Sequence, residues 1–575
     1  MKGIAKYIKP YTFFIILTVV IKTVASLTEL FIPHMLEKII DDAVPSGDRK
    51  RIFVYGGMML VFALICLVTN FVANTMSAIS SGKITRAVRR DLFKKLSHLS
   101  SAELDWLTIP SAVSRLTSDT YNINQMLSRI QKMGIRGPIM LIGGIVITLL
   151  MEPVLSLVLI FTLPIISFVV IKVTKKSVPL YQESQAELDN MVSTLRENIT
   201  GVRVIKALGK SEYEKERFNR VNRRLYNVDT RVGGVMALTN PVTSAVLNIG
   251  LALVVLVGAF RVNSGEIRIG VIIAFLNYFT IILHAMLGVT RIFIMWSKGE
   301  ASAKRISEVL AMQGGLSVIE MPDSENEDAH IEFRNVTFSY NKVKNNLHNV
   351  SFKLGRGQTL GIIGATGSGK STLINLLLRS YDVDSGEIYI GKKNIKTMEP
   401  DALRGLFGVV FQNDFIMADT ISENIRYFRD VDEMSITRAA KVACADEFIE
   451  NYPEKYDHVL SQRGNDISGG QKQRLLIARA LAKDPDILIL DDASSALDYA
   501  TDARFRRALR ENYRDTTSVI VTQRISSIMH ADVVLMLDDG CVIGMGTHEQ
   551  LLESCDKYRE IAEVQLSAMG GAANG

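Results

Sequence analysis

Residues Gly364 to Thr372 read GATGSGKST, after the strand-like run TLGIIG and before the helical run STLINLLLR. Glycines in this order let a backbone wrap phosphate groups with its N–H groups at a helix N-terminus, and the Lys-Ser pair adds a cation and a metal-binding hydroxyl. Gly364, Thr366, Gly367, Ser368, Gly369 and Thr372 then form the cradle for ATP, Lys370 reaches its β- and γ-phosphates, and Ser371 supplies a ligand to Mg²⁺. A second apolar run, Ile487 to Leu490, ends in Asp491 and Asp492. At the carboxyl edge of a parallel sheet both carboxylates lie beside the P-loop, where Asp491 orients the metal and its waters. Taken alone, Asp492 is also compatible with a carboxylate that caps a helix.

Just ahead of that run, DISGGQKQRLLIARAL from Asp466 to Leu481 is similar to the ABC signature. Further elements follow the family's order: Tyr340 as the aromatic that stacks on adenine, Gln412 in VVFQN, Arg463 and Gly464 ahead of the signature, and SALD at Ser495 to Asp498. With the apolar spans that precede them, the chain resembles a half-transporter of the ABC exporter family over nearly its whole length. In that family each ATP lies between one chain's P-loop and the other chain's signature. The resemblance therefore implies that Ser468, Gly469, Gly470 and Gln471 complete a partner's site, and that Gln412 joins Ser371 and Asp491 around the metal.

Two positions depart from the pattern. The family's hydrolytic subunits carry Glu after the Asp that ends the strand, and here the residue is Asp492. A carboxylate drawn back by about 1.5 Å, one C–C bond, falls short of the in-line water that a base must reach. The switch position, His in the pattern, is Gln523 in IVTQRISSI, which donates from an amide but carries no charge and shuttles no proton. The signature is intact apart from Ile467 in place of Leu. The expectation is a chain that completes its partner's site better than its own, resembling the degenerate half of bacterial heterodimeric multidrug exporters, beside a partner with Glu and His at the two positions.

The elements that must position these residues divide the 575-residue chain in two. Apolar runs long enough to cross a bilayer fall near 11–36, 52–80, 133–151, 153–171, 241–260 and 269–292. The runs 52–82 and 232–260 hold no charged residue, and Glu152 and Pro153 mark a tight hairpin. Lys2, Lys6 and Lys9 before an apolar run could imitate a signal peptide, but the pattern continues past Lys22 and more spans follow. The connections 81–134 and 172–240 are polar and helical in pattern, so they read as long arms, with tips near 104–113 and 208–214 that meet the groove beside Gln412. SRLTSD at Ser114 to Asp119 and ENITGVRVIKA at Glu197 to Ala207 resemble the family's segments around these tips. The arms hold nine and thirteen Lys and Arg, which weakly favours a cytosolic side; the nucleotide motifs decide it. From about Ala329 short β-type runs alternate with helices, as in an α/β domain. The fold class is thus six transmembrane helices with long cytosolic extensions fused to a P-loop ATPase domain. Its limits are 1–313, a linker 314–328 with Pro322 and a charge-rich run, 329–566, and a flexible tail 567–575.

A net charge of +6 gathered around apolar spans suits lipid headgroups, and no basic stretch interleaved with aromatic residues supports nucleic-acid binding. The four cysteines make no metal or disulfide spacing. The expected location is the bacterial inner membrane, with the nucleotide domain cytosolic. Within the spans, Lys22 and Glu29 are candidates for a translocation pathway or for pairing with a neighbouring helix, since they sit about 10 Å apart along one helix. Asn248, Asn277 and His284 are weaker candidates, set against inter-helix hydrogen bonds. An exporter of small hydrophobic or amphipathic compounds with a catalytic partner leads; a homodimeric exporter or lipid flippase and an ATP-gated channel or regulatory subunit are the rivals.

Overall fold

The computed structural model describes residues 2–312, 314–323, 328–412 and 415–572. Part of the charge-rich linker run, Asn413 beside Gln412 and the last three residues of the tail lie outside that set. The chain forms two compact units, Met1–Ser97 with Pro110–Met312, and His98–Ile109 with Gln313–Gly575.

The first unit is helical, and among the described residues six helical stretches are long and apolar enough to cross a membrane; five hold an expected span whole and the sixth, Ile269–Met286, holds most of 269–292. The helices Arg49–Ser97 and Pro153–Thr200 have 49 and 48 residues. At 1.5 Å per residue each is about 70 Å long, more than twice a hydrocarbon core of roughly 30 Å, so each continues as an arm. The hairpin falls where expected. Helix Arg136–Met151 stops at Glu152, whose side chain accepts from Val154 N and pairs with Arg261 at 3.1 Å. A packed core of Leu30, Met140, Leu159, Phe275, Tyr278 and Ile282 joins four of the apolar helices.

The charges inside the first span reach across to other helices rather than to each other. Lys22 Nζ donates to Asn70 Oδ1 at 2.5 Å and to Asn74 Oδ1 at 3.4 Å, while Arg136 donates to Glu29 at 2.7 Å. Asn277 and His284 bond carbonyls of their own helix, at Ile273 and Thr280, and Asn248 is exposed. None of the three makes an inter-helix hydrogen bond among the described residues.

The segment SRLTSD lies on the arm above its tip. Arg115–Asp119 forms a π-type turn, where buried Asp119 accepts from Ser302 Oγ at 2.8 Å and Arg305 Nε at 2.9 Å. Arg115 donates to the Arg305 carbonyl at 2.9 Å, so the turn fastens the arm to the helix Ile269–Ala311. The first tip itself is the helix Ser101–Leu107, three residues earlier than the span expected. A capping box of Ser100 and Glu103 starts it, and Thr108 at φ 62° ends it. The second tip is the helix Val202–Ala207, immediately before the expected residues.

In the second unit, strands β1 (Ile331–Phe338), β2 (Leu347–Leu354), β4 (Ser385–Ile390) and β5 (Lys393–Asn394) form an antiparallel sheet in the order β2-β1-β4-β5. The larger sheet runs β10-β9-β3-β8-β7-β6, from Cys541–Gly546, Val533–Asp538, Thr359–Gly364, Thr517–Val521, Ile487–Asp491 and Phe407–Val410. All its pairings are parallel except β9 with β10. β3 and β7 are buried almost throughout, as expected of central strands covered on both faces. The last helix, Asp556–Ala572, continues into the segment read from sequence as a tail.

Candidate functional site

Four adjacent parallel strands, β3-β8-β7-β6, end on the same edge of the sheet. After β3 comes the loop with Lys370, after β8 Gln523, at the end of β7 Asp491 and Asp492, and after β6 Gln412. Sheet order thus gathers residues more than 150 positions apart in sequence along one crevice, where open α/β sheets bind ligands.

The P-loop geometry depends on glycine at two points. A Cβ on Gly364 would lie 2.2 Å from the Leu537 carbonyl oxygen, and Gly369 adopts φ 101° with the Asn346 carbonyl 2.8 Å from where a Cβ would be. The helix Lys370–Leu377 follows directly. Lys370 is buried, and its ammonium donates to the carbonyls of Gly364 and Ala365, both at 2.8 Å, so it lies folded over the loop. Thr366, Gly367 and Ser371 are exposed, Gly369 is half-buried, and Ser368 and Thr372 are buried. Tyr340 is exposed, its ring edge-on to Phe338 and Tyr381 and its hydroxyl 3.4 Å from Thr372 Oγ1.

At the end of β7, burial and then the neighbouring Asp492 carboxylate push Asp491 up to about 6, against the lowering effects of Lys370 and the Ser371 hydroxyl. Burial also raises Asp492, while Lys370 and Arg524 draw it down. Asp492 sits at φ 52°, a conformation Asp tolerates better than most residues, with its N–H donating to the Val521 carbonyl at 2.9 Å. Gln412 Nε2 approaches Asp492 Oδ2 at 3.4 Å. Gln523 is exposed.

This donor set fits Mg²⁺-ATP. Two carboxylates side by side in a half-buried crevice make a negative pocket that a divalent cation relieves, and buried Ser368 Oγ has no hydrogen-bond partner within the loop. No cluster of three or more His, Cys, Asp or Glu exists among the described residues.

The signature residues form a separate feature. Ser468 is the N-cap of the helix Gly469–Leu481 and accepts from Gln471 N at 3.2 Å, while the Gln471 side chain accepts from Ser468 N at 2.8 Å. Ser468 and Gly469 are exposed, and Gly470 lies against the Ala496 carbonyl, 3.1 Å from where its Cβ would be. Among the described residues no hydrogen bond joins this helix start to the loop 364–372. Arg463 has φ 66° and donates its N–H to the Ile416 carbonyl. Asp498 caps the helix Tyr499–Asn512.

Three residues near these motifs escaped the reading of the sequence. Arg524 donates to the carbonyls of Ser494 and Ser495, tying the Gln523 segment to SALD. Gln565, from the last helix, bonds the Gln523 carbonyl and Ile525 N. Tyr381 donates to Asp105 on the helix Ser101–Leu107 at 2.6 Å, so that tip bonds the nucleotide-binding unit at Tyr381; Asn413 and Asp414, which adjoin Gln412, lie outside the described residues. Of these, only Arg524 had a local signal, its place beside the switch position.

Residues 15–286 match the ABC transporter transmembrane region model, and residues 347–495 match the ABC transporter model. An uncharacterized ABC transporter ATP-binding protein of Bacillus subtilis (strain 168), YfiB, is 34% identical over 574 residues, covering 99% of both chains. The chain belongs to the ABC transporter family. A second Bacillus subtilis relative, YgaD, provisionally named a multidrug export ATP-binding/permease protein, is 30% identical, with 98% of this chain and 99% of that protein covered. The solved structure of a bacterial Atm1-family ABC exporter with ATP bound superposes with a TM-score of 0.80 at 23% identity, over 97% of this chain and 98% of that one. This ABC transporter is a multi-pass membrane protein, with one transmembrane region and one ATP-binding domain. It is a transport ATPase.

Proposed function

We propose that this chain is the weakly hydrolytic half of a heterodimeric exporter that moves hydrophobic or amphipathic compounds out of the cytosol or inner leaflet. It sits in the bacterial inner membrane with its nucleotide domain in the cytosol. The observation that carries the reading is the pair Asp492 and Gln523, at the ends of adjacent strands β7 and β8 where the family's hydrolytic subunits carry Glu and His. Lys370 and the loop Gly364–Thr372 bind the ATP phosphates and Tyr340 stacks on adenine. Ser371, Asp491 and Gln412 hold Mg²⁺, which when bound offsets phosphate charge.

Asp492 is the residue that limits this site. Its backbone is fixed by the Val521 carbonyl, so the shorter side chain has no freedom to advance towards an attacking water. Gln523 orients by hydrogen bonding alone. Ser468 and Gly470, on an exposed helix start with no bond to this chain's own P-loop, are presented to the partner's ATP. The tips Ser101–Leu107 and Val202–Ala207 carry coupling, the latter with exposed Val202, Val204 and Leu208 available to a partner.

Affinity purification of the tagged chain from native membranes tests the pairing. The expected result is one second half-transporter in equal amount, with Glu and His at the two positions. An active, monodisperse homodimer would overturn it.

A further inference from the structure

Inside the membrane unit lies a cavity of about 610 Å³, a size typical of small-molecule sites. Its lining carries Lys22, Lys132 and Arg136, with Glu29 the one carboxylate among the described residues there. The same lining holds the apolar Met133, Met140 and Ile281 and the uncharged polar groups of Asn74 and Thr280, with His284 beside them.

The charges in this cavity do not cancel. Glu29 is taken by Arg136 at 2.7 Å. Lys22 is 4% exposed and lies about 15 Å along its helix from Thr12, yet its hydrogen-bond partners are the amide oxygens of Asn70 and Asn74, which carry no charge. Lys132, half-buried beside the Gly134–Ile135 break between two helices, makes no ion pair or hydrogen bond among the described residues. Among the described lining residues three cations share the single Glu29 carboxylate, which is bonded to Arg136, so the two ammonium groups repel each other with little compensation and are costly to keep. Structural ion pairing does not account for them, because the available carboxylate is used by a third cation. A bound anion would satisfy both, and Met133, Met140 and Ile281 in the same lining would take a hydrocarbon tail.

We infer that this cavity selects amphiphiles with an anionic head, a phosphate or carboxylate held by Lys22, Lys132 and Arg136 with its apolar part against Met133, Met140 and Ile281. This rests on the reading of the chain as an exporter of hydrophobic or amphipathic compounds and narrows it by charge. The head belongs either to a membrane lipid or to a free amphiphile. Glu29 holds Arg136 in position and opposes cationic heads only weakly, since its own charge is already paired.

The test uses the purified exporter, in the assembly it forms, in phosphatidylcholine nanodiscs. Dodecyl phosphate and dodecyltrimethylammonium, equal in chain and opposite in charge, are compared by stimulation of ATPase activity and by saturation binding. Phosphatidylglycerol added to the nanodiscs, with neither probe present, tests the lipid source. The expected result is saturable binding of dodecyl phosphate, weakened about tenfold or more by Lys132→Glu, with preference turning towards dodecyltrimethylammonium. Lys132→Arg should keep the original preference. Stimulation by phosphatidylglycerol that Lys132→Glu abolishes assigns the head to lipid; its lack assigns it to the free amphiphile. Should Lys132→Glu fail to fold, judged by monodispersity and melting, Lys132→Gln takes its place with loss of preference as the readout. Stronger binding of dodecyltrimethylammonium, or binding of dodecyl phosphate indifferent to Lys132, overturns the charge assignment while leaving amphiphile export standing. Failure of both probes and of phosphatidylglycerol overturns the export reading and this inference with it.

Discussion

Gln565 holds the backbone of Gln523 in place. Its side-chain amide donates to the Gln523 carbonyl at 2.8 Å and its oxygen accepts from Ile525 N at 2.9 Å, so one residue of the last helix clamps both sides of the switch segment. Helix Asp556–Ala572 is thereby bonded to the segment that follows β8.

Gln565→Ala removes both bonds and leaves the Ile525 N–H without its partner. Each such bond contributes about 1 kcal/mol, so the local segment loosens more than the domain unfolds. The expected outcome is faster amide exchange over 522–526 with a melting temperature lowered by only a few degrees. Unchanged exchange in that segment would show that the clamp is incidental.

A second contact ties the tip helix to the nucleotide domain. Tyr381 donates to Asp105 at 2.6 Å, while its ring packs edge-on against Tyr340 at 5.0 Å. Tyr381→Phe keeps the ring and removes the bond. ATP affinity should stay within about twofold, and stimulation of ATPase activity by transported compound should fall several-fold, since the lost bond contributes about 1–2 kcal/mol. Equal loss of nucleotide affinity would place Tyr381 in ATP binding instead of coupling.

The strand ends were legible in the sequence because each motif carries its own context: a strand-like run, then glycines or carboxylates, then a helix. That is why the sequence places Asp491 beside the P-loop at a sheet edge, while the position of Gln412 on the same edge comes from the strand order β8-β7-β6. The clamp by Gln565 and the bond from Tyr381 to Asp105 join residues 42 and 276 positions apart, and nothing local marks them. The tip of the first arm was misplaced by three residues at its start for a different reason. Ser100 and Glu103 form a capping box, a signal the sequence does contain, but the polar run around it hid where the helix ends at Thr108. SRLTSD reads as a segment around the tip and follows the tip helix closely; the bond from its buried Asp119 to Arg305 of the last membrane helix has no local signal.

His330 supplies a pH dependence. Burial first, and the Arg356 charge second, lower its pKa from 6.5, while its Nδ1 lies 2.6 Å from Thr517 Oγ1. The folded state therefore favours the neutral ring, and the unfolded chain binds the proton once pH falls below about 6.5. Stability contributed at pH 7 and above is lost as pH drops through 6.5 towards the lowered value. Thermal melts of the nucleotide domain within the intact exporter, from pH 7.5 to 5.5, should fall more steeply for the native chain than for His330→Gln. Parallel curves would contradict this.

The central claim is that this chain serves its partner's ATP better than its own, and one comparison tests it most directly. Steady-state ATPase activity of the purified two-chain exporter is measured with Ser468→Arg and with Asp492→Ala in this chain alone. Arg at 468 places a long cation where the helix start meets the partner's γ-phosphate, and should abolish most turnover, a loss of tenfold or more corresponding to at least about 1.4 kcal/mol. Asp492→Ala should cost about twofold or less, because that carboxylate already stops short of the attacking water. A larger loss from Asp492→Ala than from Ser468→Arg would show that the working site is this chain's own.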